Sequence, residues 1–292
     1  LFKSPVLNDV DAWVAPTRWG ADQLSSVGKI SREKIKYLPH AVNLEKFYPH
    51  DSPFRADMHL RPDQKVILIA GRCSLVKGLH QIIPVMRPII KDYNTVFIIR
   101  ASIHEKVAKS EEIGYIINMM AKQNRNILWL PNWIPPALIE EIMASCDILL
   151  QPSGHEGFDV PLVEAMATKK AIAVTNIPNH FEIMGGKNRY CGLFMEPTVL
   201  AEVINNGRQE VKVPSSDTIE GTLRFMLENP DECESYADSG YMRVKQHYNL
   251  AKVGSEWLDY MDSLFPDKYD MEKSLVEKLT ELKKARKSEN ED

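Results

Sequence analysis

PSGHEGFDVPLVEAMA, residues 152–167, is the stretch on which the reading of this chain turns. It follows an apolar run, Asp147-Ile-Leu-Leu-Gln151, with the composition of a buried strand. It ends in Val160–Ala167, rich in helix formers, with Pro161 in the first helical turn, where proline is tolerated. Between the two lies a polar, glycine-bearing turn that carries His155 and Glu156. Strand, turn, helix is how α/β folds present reactive groups at the carboxyl edge of a parallel sheet. Glu164 falls about one turn inside the helix, at roughly 3.6 residues per turn. A ligand at that helix start is therefore expected to meet both carboxylates.

The pattern is regular on either side. Strand-like runs at Lys65–Ala70, Thr95–Arg100, Asn126–Leu130, Ile148–Gln151 and Ala171–Thr175 are separated by helix-like stretches near 78–91, 107–123, 136–145 and 160–168. The alternation predicts βαβ units and an α/β fold with a doubly wound parallel sheet. Ile, Leu and Val dominate the strands, as expected for a sheet covered on both faces. Upstream, residues 11–15 and Ile35–Leu38 read as short strands around a helix from Thr17 to Val27, the tail of a preceding α/β domain. PHAVNLEKFYPHDSP, residues 39–53, has no clear period and reads as a linker. Past Phe194 the period weakens, and 217–228, 231–247 and 250–264 read as consecutive helices. The charge-dense tail carries a narrow apolar stripe, Met271, Leu275, Leu279 and Leu282, read as a surface helix.

Composition narrows the function classes. With 44% hydrophobic and 26% charged residues, the 292-residue chain is an ordinary globular protein, and its net charge of −4 offers no field for nucleic acid or anionic membrane. No apolar run reaches the ~20 residues of a membrane span. Four scattered cysteines, none in a C-x-x-C pair, point to a reducing compartment, hence the cytoplasm, and away from structural zinc. The start, LFKSPVLNDVD, has no signal-peptide pattern and no methionine, so a fragment with a segment upstream is expected.

A second turn has the same logic. In Ala70-Gly-Arg-Cys-Ser-Leu-Val-Lys-Gly78, Gly71 permits a sharp exit from a strand, and Arg72 and Lys77 bracket the start of the next helix. Free N–H groups at a helix start, flanked by two cations, suit a diphosphate. The spacing fits neither G-x-x-x-x-G-K-[ST] nor G-x-G-x-x-G.

Together the two turns resemble the retaining glycosyltransferases of family 4, which have the GT-B fold and an E-x7-E motif. Glu156 and Glu164 carry that spacing within PS-x-HEGF-x-x-PL-x-EAMA, and Gly71-Arg72 with Lys77-Gly78 matches the G-R-x-x-x-x-K-G turn. Arg100-Ala-Ser-Ile103 stands where the family has a glycine-rich turn, and Pro39–Asn43 with Phe47–Pro49 resembles its interdomain segment. Asp159 and Thr168-Lys-Lys170 depart from the usual residues.

The resemblance implies a Rossmann-like, nucleotide-sugar donor-binding domain over 64–248. Around it, 1–40 would be a remnant of the acceptor-side domain, 41–63 the interdomain linker, 249–265 a helix packing back, and 266–292 a charged tail. Arg72 and Lys77 would hold the donor diphosphate, Glu156 would face the sugar, and Glu164 would accept from ribose hydroxyls. Gly157 and Phe158 would offer backbone N–H groups. Gly71, His155 and Val160 would line the donor site, with the base near Trp133 and Ile134. No cofactor or metal is implied, since Asp9-Val-Asp11 lies outside these motifs and no H-E-x-x-H occurs. The implied partners are a nucleotide sugar and a glycan, lipid or protein acceptor, with peripheral membrane association possible through the acceptor-side domain. A catalytically silent nucleotide-sugar-binding module and a sugar-nucleotide epimerase are the alternatives.

Overall fold

The computed structural model describes residues 10–103, 107, 109–186, 191–204 and 209–265. At the start, Trp13–Ala15 (β1) and Ile35–Tyr37 (β2) pair in parallel around the helix Arg18–Ser26 (α1), which Thr17 caps through its side chain. A four-residue helix, Phe54–Asp57 (α2), precedes the main sheet. The sheet begins with Lys65–Arg72 (β3), the helix Leu79–Asp92 (α3) and Thr95–Ser102 (β4). It continues with Ser110–Gln123 (α4), Ile127–Trp129 (β5), Pro136–Ser145 (α5) and Ile148–Gln151 (β6). Val160–Ala167 (α6), Ala171–Thr175 (β7), Pro178–Met184 (α7) and Leu193–Met195 (β8) complete it. An antiparallel hairpin, Val199–Ile204 (β9) with Gln209–Val213 (β10), follows. Three helices close the described chain: Ser216–Glu228 (α8), Pro230–His247 (α9) and Leu250–Leu264 (α10).

The six main strands lie in the order β5-β4-β3-β6-β7-β8, all parallel. This is the doubly wound sheet that the alternating pattern predicts. Side chains alternate across the strands and split the core in two. Ile67, Ile69, Phe97 and Ile99 pack with α3, α4 and α8, while Val66, Leu68, Val96 and Ile98 pack with α5, α6 and α7. The four cysteines are buried, and burial pushes the Cys73 and Cys146 thiols up to about 12, as suits small packing residues.

The stretch read as a linker is tied to the main domain. Val42 exchanges backbone hydrogen bonds with the segment between α9 and α10, its N–H donating to Tyr248 O at 2.8 Å and its carbonyl accepting from Leu250 N at 3.0 Å. Arg55 of α2 donates to the carbonyls of Ser145 at 2.7 Å and Gln64 at 2.5 Å and to the Asp147 carboxylate at 3.3 Å. Replacing Arg55 with leucine is expected to cost about 2 kcal/mol, the usual scale for hydrogen bonds made by a charged group. Urea denaturation measures it, and a loss below about 0.5 kcal/mol would mean that α2 is held by its apolar face alone. The stripe at Met271, Leu275, Leu279 and Leu282 lies outside the described residues.

Candidate active site

The strand order reverses between β3 and β6, so the connections leaving their carboxyl ends diverge to opposite faces. A crevice opens there, the usual ligand position in such sheets. The two turns singled out in sequence flank it. Gly71 lies inside β3 and not at its exit, because pairing with β4 continues through Gly71↔Ala101 and Arg72↔Ser102. The turn proper spans 73–78, closed by Lys77 N–H donating to Ser74 Oγ at 3.2 Å. Gly78, not Lys77, is the cap before α3. Its φ of 70° favours glycine, and a Cβ there would strike the Pro152 carbonyl. The second turn approaches that closely, and Gly154 N–H donates to Val76 O at 2.8 Å. On its other side Gly154 abuts the Lys212 carbonyl of β10, again without room for a Cβ.

Between the turns is a cavity of about 520 Å³ lined by Arg72, Ser74, Lys77, His155, Glu156 and Gly157, with Glu202 from β9 at its rim. Lys77 Nζ, 79 residues away from Glu156 in sequence, donates to the Glu156 carboxylate. The two side chains are 15% and 9% exposed, so the ion pair lies in a poorly solvated place. Arg72 is exposed and free to meet a ligand from the solvent side.

The structure does not bring both glutamates to this cavity, as their spacing suggests. Glu164, on α6, is not among the residues lining it, and its charged neighbours are Arg100, Asp159 and Glu140. Burial pushes its carboxyl up to about 7, against the pull of Arg100. Arg100 sits near the end of β4, at the start of the stretch that stands where the family has a glycine-rich turn. Phe158 is turned away from the cavity, its ring edge-on to His40 and Tyr248 at 5.2 and 5.8 Å. Ile134 is buried and Trp133 is 82% exposed, both outside the cavity lining, while Val160 opens α6 half exposed.

A second set of residues holds the turn, and sequence reasoning missed most of it. Asp159 caps α6 by accepting from Leu162 N at 3.3 Å, and also accepts from Gln151 Nε2 at 3.2 Å and His180 Nε2 at 3.1 Å. His180 Nδ1 faces the Thr175 carbonyl at 2.9 Å, so both ring nitrogens meet oxygen acceptors. Asn179 donates to the Glu156 and Gly157 carbonyls. Both α7 residues were findable as part of a helix, since Pro178 at its start and Gly185 just past its end are helix punctuation. Among the described residues, Glu156, Asp159 and His180 place ligand atoms within 4.8 Å of one another, the spacing of a cation site. Their atoms are already engaged with Lys77, Leu162, Gln151 and Thr175, so hydrogen bonding accounts for the cluster.

Known proteins share this architecture. The chain superposes with a TM-score of 0.72 on a sucrose-phosphate synthase from Thermosynechococcus elongatus, at 17% identity, covering 89% of this chain and 60% of that one. It superposes with a TM-score of 0.70 on Anabaena HepE in complex with UDP-glucose, at 15% identity, covering 87% and 64%. Among curated relatives, the alpha-galactosylglucosyldiacylglycerol synthase of Streptococcus pneumoniae is 24% identical over 80% of this chain and 56% of its own length. The alpha-maltose-1-phosphate synthase of Mycolicibacterium smegmatis is 18% identical over 82% and 59%. The chain thus spans little more than half the length of these relatives. Residues 52–212, more than half of the chain, match the family described as Glycosyl transferases group 1, and the chain, with its GT-B fold, belongs to that family.

Proposed function

We propose that this chain is the donor-binding half of a retaining, metal-independent glycosyltransferase that uses a nucleoside-diphosphate sugar. The convergence of Arg72, Lys77 and Glu156 on one cavity at the sheet's reversal point carries this reading. As the bond between the anomeric carbon and the diphosphate oxygen breaks, positive charge grows on the sugar ring and negative charge on the departing nucleoside diphosphate. Arg72 and Lys77 receive that negative charge, Lys77 after exchanging the Glu156 carboxylate for the diphosphate, the work a metal ion does in other transferases. The acceptor hydroxyl oxygen then bonds to the anomeric carbon and passes its proton to the departing diphosphate oxygen. A diphosphate oxygen reaching Lys77 competes with the Glu156 carboxylate, and a displaced Glu156 turns to the sugar. Glu164, from α6, takes the ribose hydroxyls. The HepE structure with UDP-glucose supports a nucleotide-sugar donor for this fold.

Calorimetric titration with UDP, GDP and ADP tests the donor site, and a sugar-transfer assay on the intact protein tests the chemistry. Binding of one nucleoside diphosphate with transfer from its sugar conjugate is the expected result. No binding of any of the three removes the basis of the proposal. Binding without transfer makes the chain a silent nucleotide-sugar module instead. No helix among the described residues is long and apolar enough to cross a membrane. Diacylglycerol-linked names among the relatives make a lipid acceptor, met at a membrane surface, worth including in the assay.

A further inference from the structure

We propose that Asn179 is a positioning residue that ties the Glu156 turn to the seating of α1 on α7, so that the turn keeps its working shape only while α1 is docked. This goes beyond the donor site, and its catalytic consequence rests on the function proposed above.

The argument starts from an amide with every group committed. The Asn179 side chain is 2% exposed. Nδ2 donates to the Glu156 carbonyl and, at 2.9 Å, to the Gly157 carbonyl. Carbonyl oxygens only accept, so the amide's orientation is fixed, and Oδ1 faces the other way. There it accepts from Thr17 Oγ1 at 3.3 Å, across 162 residues of sequence. Thr17 is itself 1% exposed and accepts from Gly20 N at 3.0 Å as the cap of α1. Its single hydroxyl proton is thereby directed to Asn179. One turn along α7, the Glu182 carboxylate accepts from Arg18 N at 2.8 Å and Trp19 N at 3.2 Å, satisfying the other open donors at the start of α1.

The start of α1 is therefore seated on α7 by three donors, and one of them, Thr17 Oγ1, meets the amide that holds the backbone presenting Glu156. If α1 lifts, Asn179 Oδ1 loses its buried partner and its amide is no longer held at both ends. The two carbonyls at 156 and 157 then depend on a side chain that can rotate. Exposing or orphaning such groups shifts an equilibrium by about 5- to 150-fold. Asn179 is not itself among the residues lining the cavity and reaches it only through the Glu156 and Gly157 carbonyls, so its influence is indirect.

Two measurements on the intact protein test this. In hydrogen exchange read by mass spectrometry, Thr17→Val should speed exchange in the 152–159 segment by about 10-fold or more, while Thr17→Ser, which keeps the hydroxyl, should match wild type. In the transfer assay, Thr17→Val and Asn179→Ala should each lower kcat by about 10-fold, while Thr17→Val adds less than about 2-fold in the Asn179→Ala background. Unchanged exchange in Thr17→Val overturns the proposal. So do multiplying factors, because the hydroxyl would then act only by capping α1. Absence of transfer in the wild type sinks the donor reading instead, and the exchange comparison still decides the coupling.

Discussion

Replacing Lys77 with alanine is expected to lower kcat/KM for sugar transfer by about 10²- to 10³-fold, the loss typical for one preorganised electrostatic partner of a developing anion. Arg72 remains, which is why the loss stops short of complete inactivity. The same change should destabilise the fold by about 3 kcal/mol, because it strips the partner from a buried carboxylate. Glu156 is 9% exposed, and Lys77 is its ion-pair partner. The two effects have different origins, and a second substitution separates them. Lys77→Ala combined with Glu156→Gln removes the orphaned charge and should recover most of the lost stability in urea denaturation. It should recover none of the transfer, since the diphosphate still lacks its cation. If the double variant regains transfer, Lys77 acts only by neutralising Glu156 and the assigned role is wrong.

What the sequence disclosed and what it hid follow from range. β3, β4 and β6 are runs of Ile, Leu and Val buried on both faces, and their composition alone marks them. Asp159 as a cap is likewise local, three residues from the N–H it accepts. The hairpin of β9 and β10 is a miss with a visible cue, because Asn206-Gly207 between the two strands is a strong hairpin signal. β8 has only three residues, too few to show a period. The pairing of Lys77 with Glu156 was beyond any local pattern, and only the family resemblance placed the two in one site. Local punctuation marks the helix that carries Asn179 and His180 but not their hold on the turn, where the groups they meet lie 21 to 23 residues away. The E-x7-E spacing shows where each carboxylate sits along the chain but not what it meets. Glu156 pairs with Lys77 in the turn, while Glu164, on α6, is absent from that cavity's lining and has Arg100 among its charged neighbours.

Glu164→Gln is expected to leave stability unchanged near pH 4 and to raise it relative to wild type by up to about 3 kcal/mol near pH 8. The carboxyl stands at about 7 in the folded chain, against 4.5 for an ordinary glutamate, chiefly through desolvation. Below 4.5 both folded and unfolded states hold the proton, and no difference arises. Between 4.5 and 7 the unfolded chain has released it while the folded chain keeps it, so stability falls as pH rises. Above 7 the penalty is complete, and about 2.5 pKa units convert to that ~3 kcal/mol. Glutamine has the same shape and no charge to desolvate, so it removes the slope. Chemical denaturation at the two pH values measures it, and a difference independent of pH would show that the carboxyl titrates normally. A buried acid that costs stability at neutral pH is a reasonable mark of a functional group. Ribose hydroxyls donating to Glu164 favour its charged form, so nucleoside diphosphate binding near pH 7 should release protons. Calorimetry in buffers of different ionisation enthalpy reads that release directly. It should vanish in Glu164→Gln, and its persistence there would move the ribose contact to another residue.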